Sequence, residues 1–157
     1  MPDSDLAPLK RMIIERACEQ LSVAYARAVD FRDYDAFVEL FTDDARLDLG
    51  MRLEGKAAIR ESMKLRSDEI RTRHVLTNIS VEVQDSQHAR GISYLTLYRH
   101  VGTESIRTET PVPTVLPTAV GHYDDEFLLT PSGWRFKSRT LHVAFRNPAT
   151  VKPKPPG

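Results

Sequence analysis

The sequence is poor in cysteine, in uninterrupted apolar stretches and in net charge. Cys18 is the only cysteine among 157 residues, so no internal disulfide can form, and no CxxC or Cys/His cluster predicts a zinc site. Lys and Arg together number 22, as do Asp and Glu, which leaves a formal net charge of zero. A nucleic-acid-binding surface or an electrostatic membrane anchor needs an excess of basic residues. We therefore expect no nucleic acid and no membrane among its partners.

The two ends of the chain differ in composition from its middle. The opening, MPDSDLAPLK, lacks the apolar core of a signal peptide, and no apolar run is long enough to predict a membrane span. These absences predict a cytoplasmic protein. Hydrophobic residues make up 41% of the chain, which suffices for one domain with its own core. We expect a flexible N-terminus over 1–8, one domain over 9–146 and a disordered proline-rich tail over 147–157.

The first third of the sequence has the apolar spacing of helices. Between residues 9 and 29, apolar side chains such as Leu9, Met12 and Ile13 recur every three or four positions without an intervening glycine or proline. This spacing predicts a first helix over about 9–29. Asp33 is a candidate N-cap for a second helix over about 34–43.

The next segments continue this pattern and then change period. A short strand is predicted over 45–49, and a third helix begins after Gly55. From residue 73 onward, apolar and polar residues alternate with the period of two that is typical of strands. The predicted strands are 73–83, 88–101, 119–129 and 134–146.

Helices followed by long antiparallel strands predict an α+β fold. Three N-terminal helices would cover one face of the sheet. Strands of eleven to fourteen residues, such as those predicted here, exceed the usual five or six, and a long sheet under few helices must curve. A strongly curved, mostly antiparallel sheet with a helical lid would enclose a pocket.

Two acid–base candidates stand out along this frame. Tyr25 lies in the apolar register of the first helix, and Asp30 follows five residues later where that helix ends. An anion is unfavourable at a helix C-terminus, so Asp30 indicates either a turn hydrogen bond or a cationic partner such as an imidazole. His74 shares a partly polar strand face with Leu76 and Asn78 and can point into a pocket or into water. Spacing alone does not bring these residues together.

The last strand changes its inward face along its length. Trp134 and Phe136 share one parity, whereas Leu141 and Val143 have the other. Because side chains alternate across a strand, the switch predicts a β-bulge between the two pairs. Arg139 has the later parity, so its guanidinium either enters the pocket or lies exposed at a strand edge.

Three segments carry a family resemblance. They are YARAVDFRDYDAFVELFTDDARLDL, RTRHVLTNISVEV and GHYDDEFLLTPSGWRFKSRTLHV, in this order. Together they resemble the SnoaL-like domains of the NTF2-like superfamily over roughly residues 9–146. The resemblance implies a cone of helices and curved sheet around one pocket.

Within that family the sequence is most similar to the cofactor-free lyases of the scytalone dehydratase, bile-acid 7α-dehydratase and hexachlorocyclohexane dehydrochlorinase group. The resemblance implies that Asp30 and His74 form a catalytic pair, that Tyr25 contacts the substrate and that Arg139 stabilises negative charge. It implies no metal and no organic cofactor. The implied reaction is a dehydratase-type elimination or an isomerisation of a small hydrophobic substrate, such as a polyketide, steroid or aromatic compound.

Two other functions stay open. The β subunits of aromatic-ring dioxygenases share the fold and a similar Arg-x-Arg-His-x-x-x-Asn strand, and they scaffold a catalytic partner. A protein that only binds a small apolar ligand is the third possibility. The resemblance also implies a homo-oligomer, dimer or trimer, and it leaves the roles of His100 and His122 undecided.

Overall fold

The computed structural model describes residues 6–113 and 116–150. The α-helices are α1 (Pro8–Asp30), α2 (Tyr34–Glu39) and α3 (Lys56–Lys64), and two short 3-10 helices span Thr103–Ser105 and Pro148–Thr150. The strands are β1 (Phe41–Asp48), β2 (Arg52–Glu54), β3 (Ile70–Val83), β4 (His88–Val101), β5 (Ala119–Thr130) and β6 (Gly133–Arg146). Three helices thus precede most of the sheet, and the predicted α+β class is confirmed.

The six strands form one mixed sheet in the order β2-β1-β6-β5-β4-β3. Only β1 and β6 pair in parallel, and the other neighbours are antiparallel. The helices pack on one face, with α1 lying mainly against β3. The alternation of strand side chains therefore divides the sheet into an inner face toward the helices and an outer face away from them.

At the junction of α2 and β1, local sequence and long-range strand pairing favour different structures. Asp33 caps α2 by accepting a hydrogen bond from the Ala36 amide at 3.1 Å, as its position predicted. The helix ends at Glu39 rather than near 43, because the following residues are drawn into β1. The Phe136 amide donates to the Leu40 carbonyl at 2.8 Å, which ties this point to β6.

The first turns of α1 depart from the apolar register that the sequence predicts. Leu9, Met12 and Ile13 are 69%, 63% and 60% exposed, so the helical spacing of these apolar residues does not mark buried positions. The buried side of the helix begins at Ile14 and continues through Cys18. Only the later turns of α1 therefore contribute to the core.

Two irregularities shape the sheet. In β6, Phe136 pairs with Phe127 and Ser138 with Glu126, so Lys137 is the extra residue of a β-bulge. This confirms the predicted change of inward face. A similar offset occurs in β3 beside Asn78, whose φ of 50° lies in the left-handed region.

The ends of the chain are described only in part. Residue 8 belongs to α1, whereas the N-terminal segment 1–5 lies outside the described residues. Within the predicted tail, Pro148–Thr150 forms a 3-10 turn, and 151–157 lie outside the described residues. Among the described residues, each helix is too short or too polar to serve as a membrane span.

Candidate functional site

Asp30 is the last residue of α1, and its carboxylate turns toward the strand beside it. The Oδ2 atom accepts a hydrogen bond from the His74 backbone amide at 2.8 Å. The Oδ1 atom accepts one from the Thr72 hydroxyl at 2.8 Å. The carboxylate therefore satisfies a backbone donor on β3 and is held by two residues of that strand.

His74 meets the same carboxylate through its ring. Its Nδ1 lies 2.6 Å from Asp30 Oδ1, which joins two residues that are 44 positions apart. The side chains of His74 and Asp30 are only 9% and 6% exposed. Because an ionised carboxylate can only accept a hydrogen bond, the contact places a proton on Nδ1, and in the neutral form of the ring Nε2 then carries the lone pair.

The electrostatics favour an ionised Asp30. Burial alone would raise the pKa of its carboxyl group. The hydrogen bonds and charge of His74, together with the Thr72 hydroxyl, outweigh burial and lower the pKa of Asp30 below its ordinary value. An anionic Asp30 next to an imidazole is the arrangement that stabilises an imidazolium when His74 accepts a proton.

Tyr25 lies beside this pair at the centre of an aromatic cluster. Its ring is 6.2 Å from the His74 ring in an edge-on arrangement and 4.9 Å from that of Phe37. The side chain is 1% exposed, and burial raises the pKa of its phenol although nearby Arg139 opposes that effect. Tyr25 is therefore a neutral phenol at physiological pH.

Arg139 lies in the same interior. Its guanidinium is bonded to protein side chains, whereas an arginine that binds substrate would have nitrogens free for that contact. Its Nε and Nη2 each donate to Asp125 at 2.7 Å, and Nη2 also donates to the Ser22 hydroxyl at 2.9 Å. The guanidinium lies 4.2–4.3 Å from the ring centroids of Tyr25, Tyr123 and Phe136. Arg139 is completely buried, and among the described residues its Nη1 has no hydrogen-bond partner.

Burial and pairing act in opposite directions on this guanidinium. Burial alone would lower the pKa of Arg139, but the carboxylate of Asp125 more than offsets it and raises the pKa. Arg139 is therefore a cation inside an aromatic cage and pairs through two hydrogen bonds with one acid.

The sequence analysis did not identify the residues that hydrogen-bond to Asp30 and Arg139. Thr72 shares the parity of His74 two residues earlier, and this signal was available in the sequence. Asp125 and Ser22 gave no comparable signal, because their contact with Arg139 depends on the register between β5 and β6 and on the packing of α1.

The other histidines do not join the pair. His100 Nδ1 lies 2.8 Å from the Ser105 hydroxyl, so it is engaged with the 3-10 helix that follows β4. His122 lies on the outer face of the sheet, stacked on His142. Neither is assigned to the interior site.

The resemblance implies one pocket and a catalytic pair, but the cavities described here lie away from Asp30 and His74. A cavity of about 650 Å³ opens on the outer face of the sheet, and Asp30 and His74 are not among its lining residues. A smaller groove of about 300 Å³ lies beside the C-terminal end of α1 and includes Arg32 and Tyr34. The contact of Asp30 with His74 is present, but neither of these two cavities contains it.

Solved structures with the same architecture include several related by name to elimination chemistry. A candidate scytalone dehydratase from Novosphingobium aromaticivorans has a TM-score of 0.77 at 18% identity, with 93% of this chain and 94% of that chain covered. The hexachlorocyclohexane dehydrochlorinase LinA type 2 has a TM-score of 0.73 at 18% identity, covering 96% and 99%. At these identities the likeness concerns the fold.

A third structure is more similar in sequence. It is a candidate aromatic-ring hydroxylase from Novosphingobium aromaticivorans, with 27% identity, a TM-score of 0.70 and coverage of 89% of this chain and 93% of that chain. A comparison with curated proteins finds no match. The family model described as a SnoaL-like domain matches residues 11–140. The chain therefore belongs to the SnoaL-like domain family, within the NTF2-like fold.

Proposed function

We propose that the protein is a cofactor-independent lyase of the elimination type, or an isomerase, that uses His74 as its base. The observation that carries this proposal is the pair of hydrogen bonds by which Asp30 fixes the ring and the backbone amide of His74. Oδ1 meets Nδ1 at 2.6 Å and Oδ2 accepts from the His74 amide at 2.8 Å. A histidine held in this way has one tautomer and one orientation, which a proton-transfer catalyst requires.

The chemistry follows from that arrangement. His74 Nε2 removes a proton from carbon, and the electron pair of the broken C–H bond forms the new double bond. In an elimination, the leaving group departs with the electron pair of its bond to carbon, either as a halide ion or as a hydroxyl that takes up the proton from the imidazolium and leaves as water. In an isomerisation, the imidazolium returns the proton to another carbon. Asp30 stabilises the imidazolium in both cases.

The aromatic cluster supports a hydrophobic substrate. Tyr25 has a neutral phenol next to His74, and we assign it the hydrogen bond to a substrate oxygen. Two nitrogens of Arg139 are committed to Asp125 and Ser22 within a fully buried cluster, which supports a positioning role for this residue. We infer a small polyketide, steroid or aromatic compound as the substrate class. The named dehydratase and dehydrochlorinase neighbours are consistent with this proposal.

The test is a kinetic comparison on a panel of hydroxylated and halogenated ring compounds. His74→Ala should lower kcat by about 10²–10⁴-fold, the usual effect of losing a positioned base. Asp30→Asn should lower it strongly, and the double variant should be little worse than His74→Ala, because the two groups act as a unit. His88→Ala is the matched control, since His88 also contacts an aspartate, at 2.9 Å from Asp85, but lies on the surface. Normal turnover by folded His74→Ala would refute the proposal.

A second function has a specific observation in its favour. The candidate aromatic-ring hydroxylase is the structural neighbour at 27% identity, and β3 carries Arg71, Arg73, His74 and Asn78 in the spacing seen in dioxygenase β subunits. Under this proposal the domain is a scaffold without its own reaction. Purification from the native host with a larger iron–sulfur protein would support it.

The third possibility is a protein that binds a small apolar ligand without converting it. The buried Asp30–His74 hydrogen bond argues against it, because a purely apolar ligand gains nothing from such a pair.

We further propose a cytoplasmic homo-oligomer, a dimer or trimer. Light scattering after size exclusion would measure its mass.

A further inference from the structure

The outer face of the sheet carries a second cluster of chemically active side chains. His122, Asp124 and His142 each offer one ligand atom, and these three atoms all lie within 4.8 Å of one another. We propose that they form a binding site for a divalent transition-metal ion. This site is separate from the interior pair, because its residues face away from the helices.

The sheet register explains why the three side chains meet. His122 lies directly opposite His142, and Asp124 lies two residues further along β5 on the same face. The bulge at Lys137 sets this parity, because without the extra residue His142 would point to the inner face. The cluster therefore depends on a specific irregularity of β6.

Gly121 is also required at this cluster, because β5 and β6 approach each other closely here. A Cβ atom at this position would lie 2.1 Å from the His142 carbonyl oxygen, so only glycine lets the two backbones approach this closely. A second register offset lies next to it, between Val120 and Gly121. The close approach positions the backbone of His142 beside that of His122.

The distances are close to those of a coordination sphere. Asp124 Oδ2 lies 2.9 Å from His142 Nε2 and 3.8 Å from His122 Nε2. Bonds of about 2.0–2.2 Å from zinc to nitrogen or oxygen place neighbouring ligand atoms roughly 3–3.5 Å apart. The imidazole rings are stacked with their centroids 4.9 Å apart and an interplanar angle of 21°, so binding one ion requires the His122 ring to turn toward it.

Accessibility and charge both suit a metal ion. The three side chains are 38–50% exposed, and Asp124 and His142 line the cavity of about 650 Å³ on this face. Two neutral imidazoles and one carboxylate bring a single negative charge to a divalent ion, and open positions remain toward the cavity. Two nitrogens with one oxygen favour Zn²⁺, Ni²⁺, Co²⁺ or Cu²⁺ over Mg²⁺ and Ca²⁺, which prefer all-oxygen ligands.

The test is isothermal titration of the untagged, metal-stripped protein with Zn²⁺ at neutral pH. We expect one saturable site per chain. His142→Ala and His122→Ala should each weaken binding by about 100-fold or more, since each removes one of only three protein ligands. Because these side chains are partly exposed, the variants should fold, and circular dichroism would verify this. The variant His142→Gln, which keeps a side chain of similar size, should weaken Zn²⁺ binding as well.

Two controls separate this site from other histidines. His88→Ala removes a surface His–Asp contact that lacks a second histidine, and His74→Ala removes the interior pair. Both should keep wild-type Zn²⁺ affinity. An upward shift of Tm with Zn²⁺ should appear in the wild type and vanish in His142→Ala. Absence of saturable binding, or equal affinity in the wild type and His142→Ala, would overturn the proposal.

Discussion

The buried ion pair between Arg139 and Asp125 allows a sharp test of what stabilises the interior. Their side chains are 0% and 1% exposed, and two hydrogen bonds of 2.7 Å join them. Removing one partner leaves the other as an uncompensated charge in an apolar interior. Mutations of this kind cost about 3–5 kcal/mol of stability. We expect both Arg139→Met and Asp125→Leu to lose an amount of that order.

The double variant Arg139→Met/Asp125→Leu separates the desolvation cost of the ion pair from its attraction. Replacing both charges with apolar groups of similar size removes the desolvation penalty together with the attraction, so the change is often near neutral. Arg139→Met/Asp125→Leu should therefore be more stable than either single variant, with a coupling of about 2–4 kcal/mol in the double-mutant cycle. The Ser22 hydroxyl loses its donor in this variant, which sets a limit on full recovery.

Urea denaturation followed by circular dichroism measures these free energies of unfolding. The matched control is the exposed pair Arg16–Glu19 on α1, at 3.4 Å, where the side chains are 70% and 35% exposed. Breaking it should change stability by no more than about 0.5 kcal/mol. If Arg139→Met cost as little as the control, the guanidinium would not be the central stabilising group of this cluster. Full stability together with lost turnover would instead favour direct contact between Arg139 and the substrate.

Three further predictions concern groups whose environment is unusual. Because the folded-state pKa of Asp30 is lowered, its stabilising effect is present above the unfolded pKa of about 3.9 and is lost as the pH falls through the folded value. The stability difference between wild type and Asp30→Asn should therefore shrink below about pH 4 in urea titrations, and a difference that grows there would contradict the sign. Thr72→Val removes a 2.8 Å hydrogen bond to Asp30, so the carboxyl pKa followed by ¹³C NMR should rise; an unchanged titration would show that Thr72 does not hold the anion. Burial raises the pKa of Cys18 to about 12, so a thiol reagent at pH 8 should modify the native protein very slowly and the urea-unfolded protein at once; equal rates for the two would contradict the buried position of Cys18.

Much of the fold could be predicted because the strands are long and their alternation is regular. The predicted bounds of β4 agree with the structure, and those of β3, β5 and β6 differ by no more than three residues at either end. The second helix was predicted too long, because the apolar residues after Glu39 fit a helix or a strand equally well. Pairing with β6 decided the outcome, and a local pattern does not contain that information. The three-residue strand β2 is too short to show any period.

The candidate site was predictable where a resemblance linked distant residues. Asp30 and His74 lie 44 positions apart, and no helix or strand period connects them. The parity of β6 left Arg139 either inward or exposed, and the structure places it inward; its partner Asp125 could not be inferred without the cross-strand register. The same reason hid the cluster of His122 and His142, because the sequence shows two histidines twenty positions apart and not a directly opposed pair.

The extra residue at Lys137 gives β6 something comparable to a reading frame. Upstream of it, Phe136 faces the core, and downstream the inward positions are held by Arg139 and the outward ones by His142. Loss of one residue here would exchange the two sets, exposing the guanidinium to water and turning an imidazole into the core. The two faces of the domain are therefore not free to diverge independently. Substitutions can alter either chemistry alone, whereas a change of length in this short stretch alters both at once.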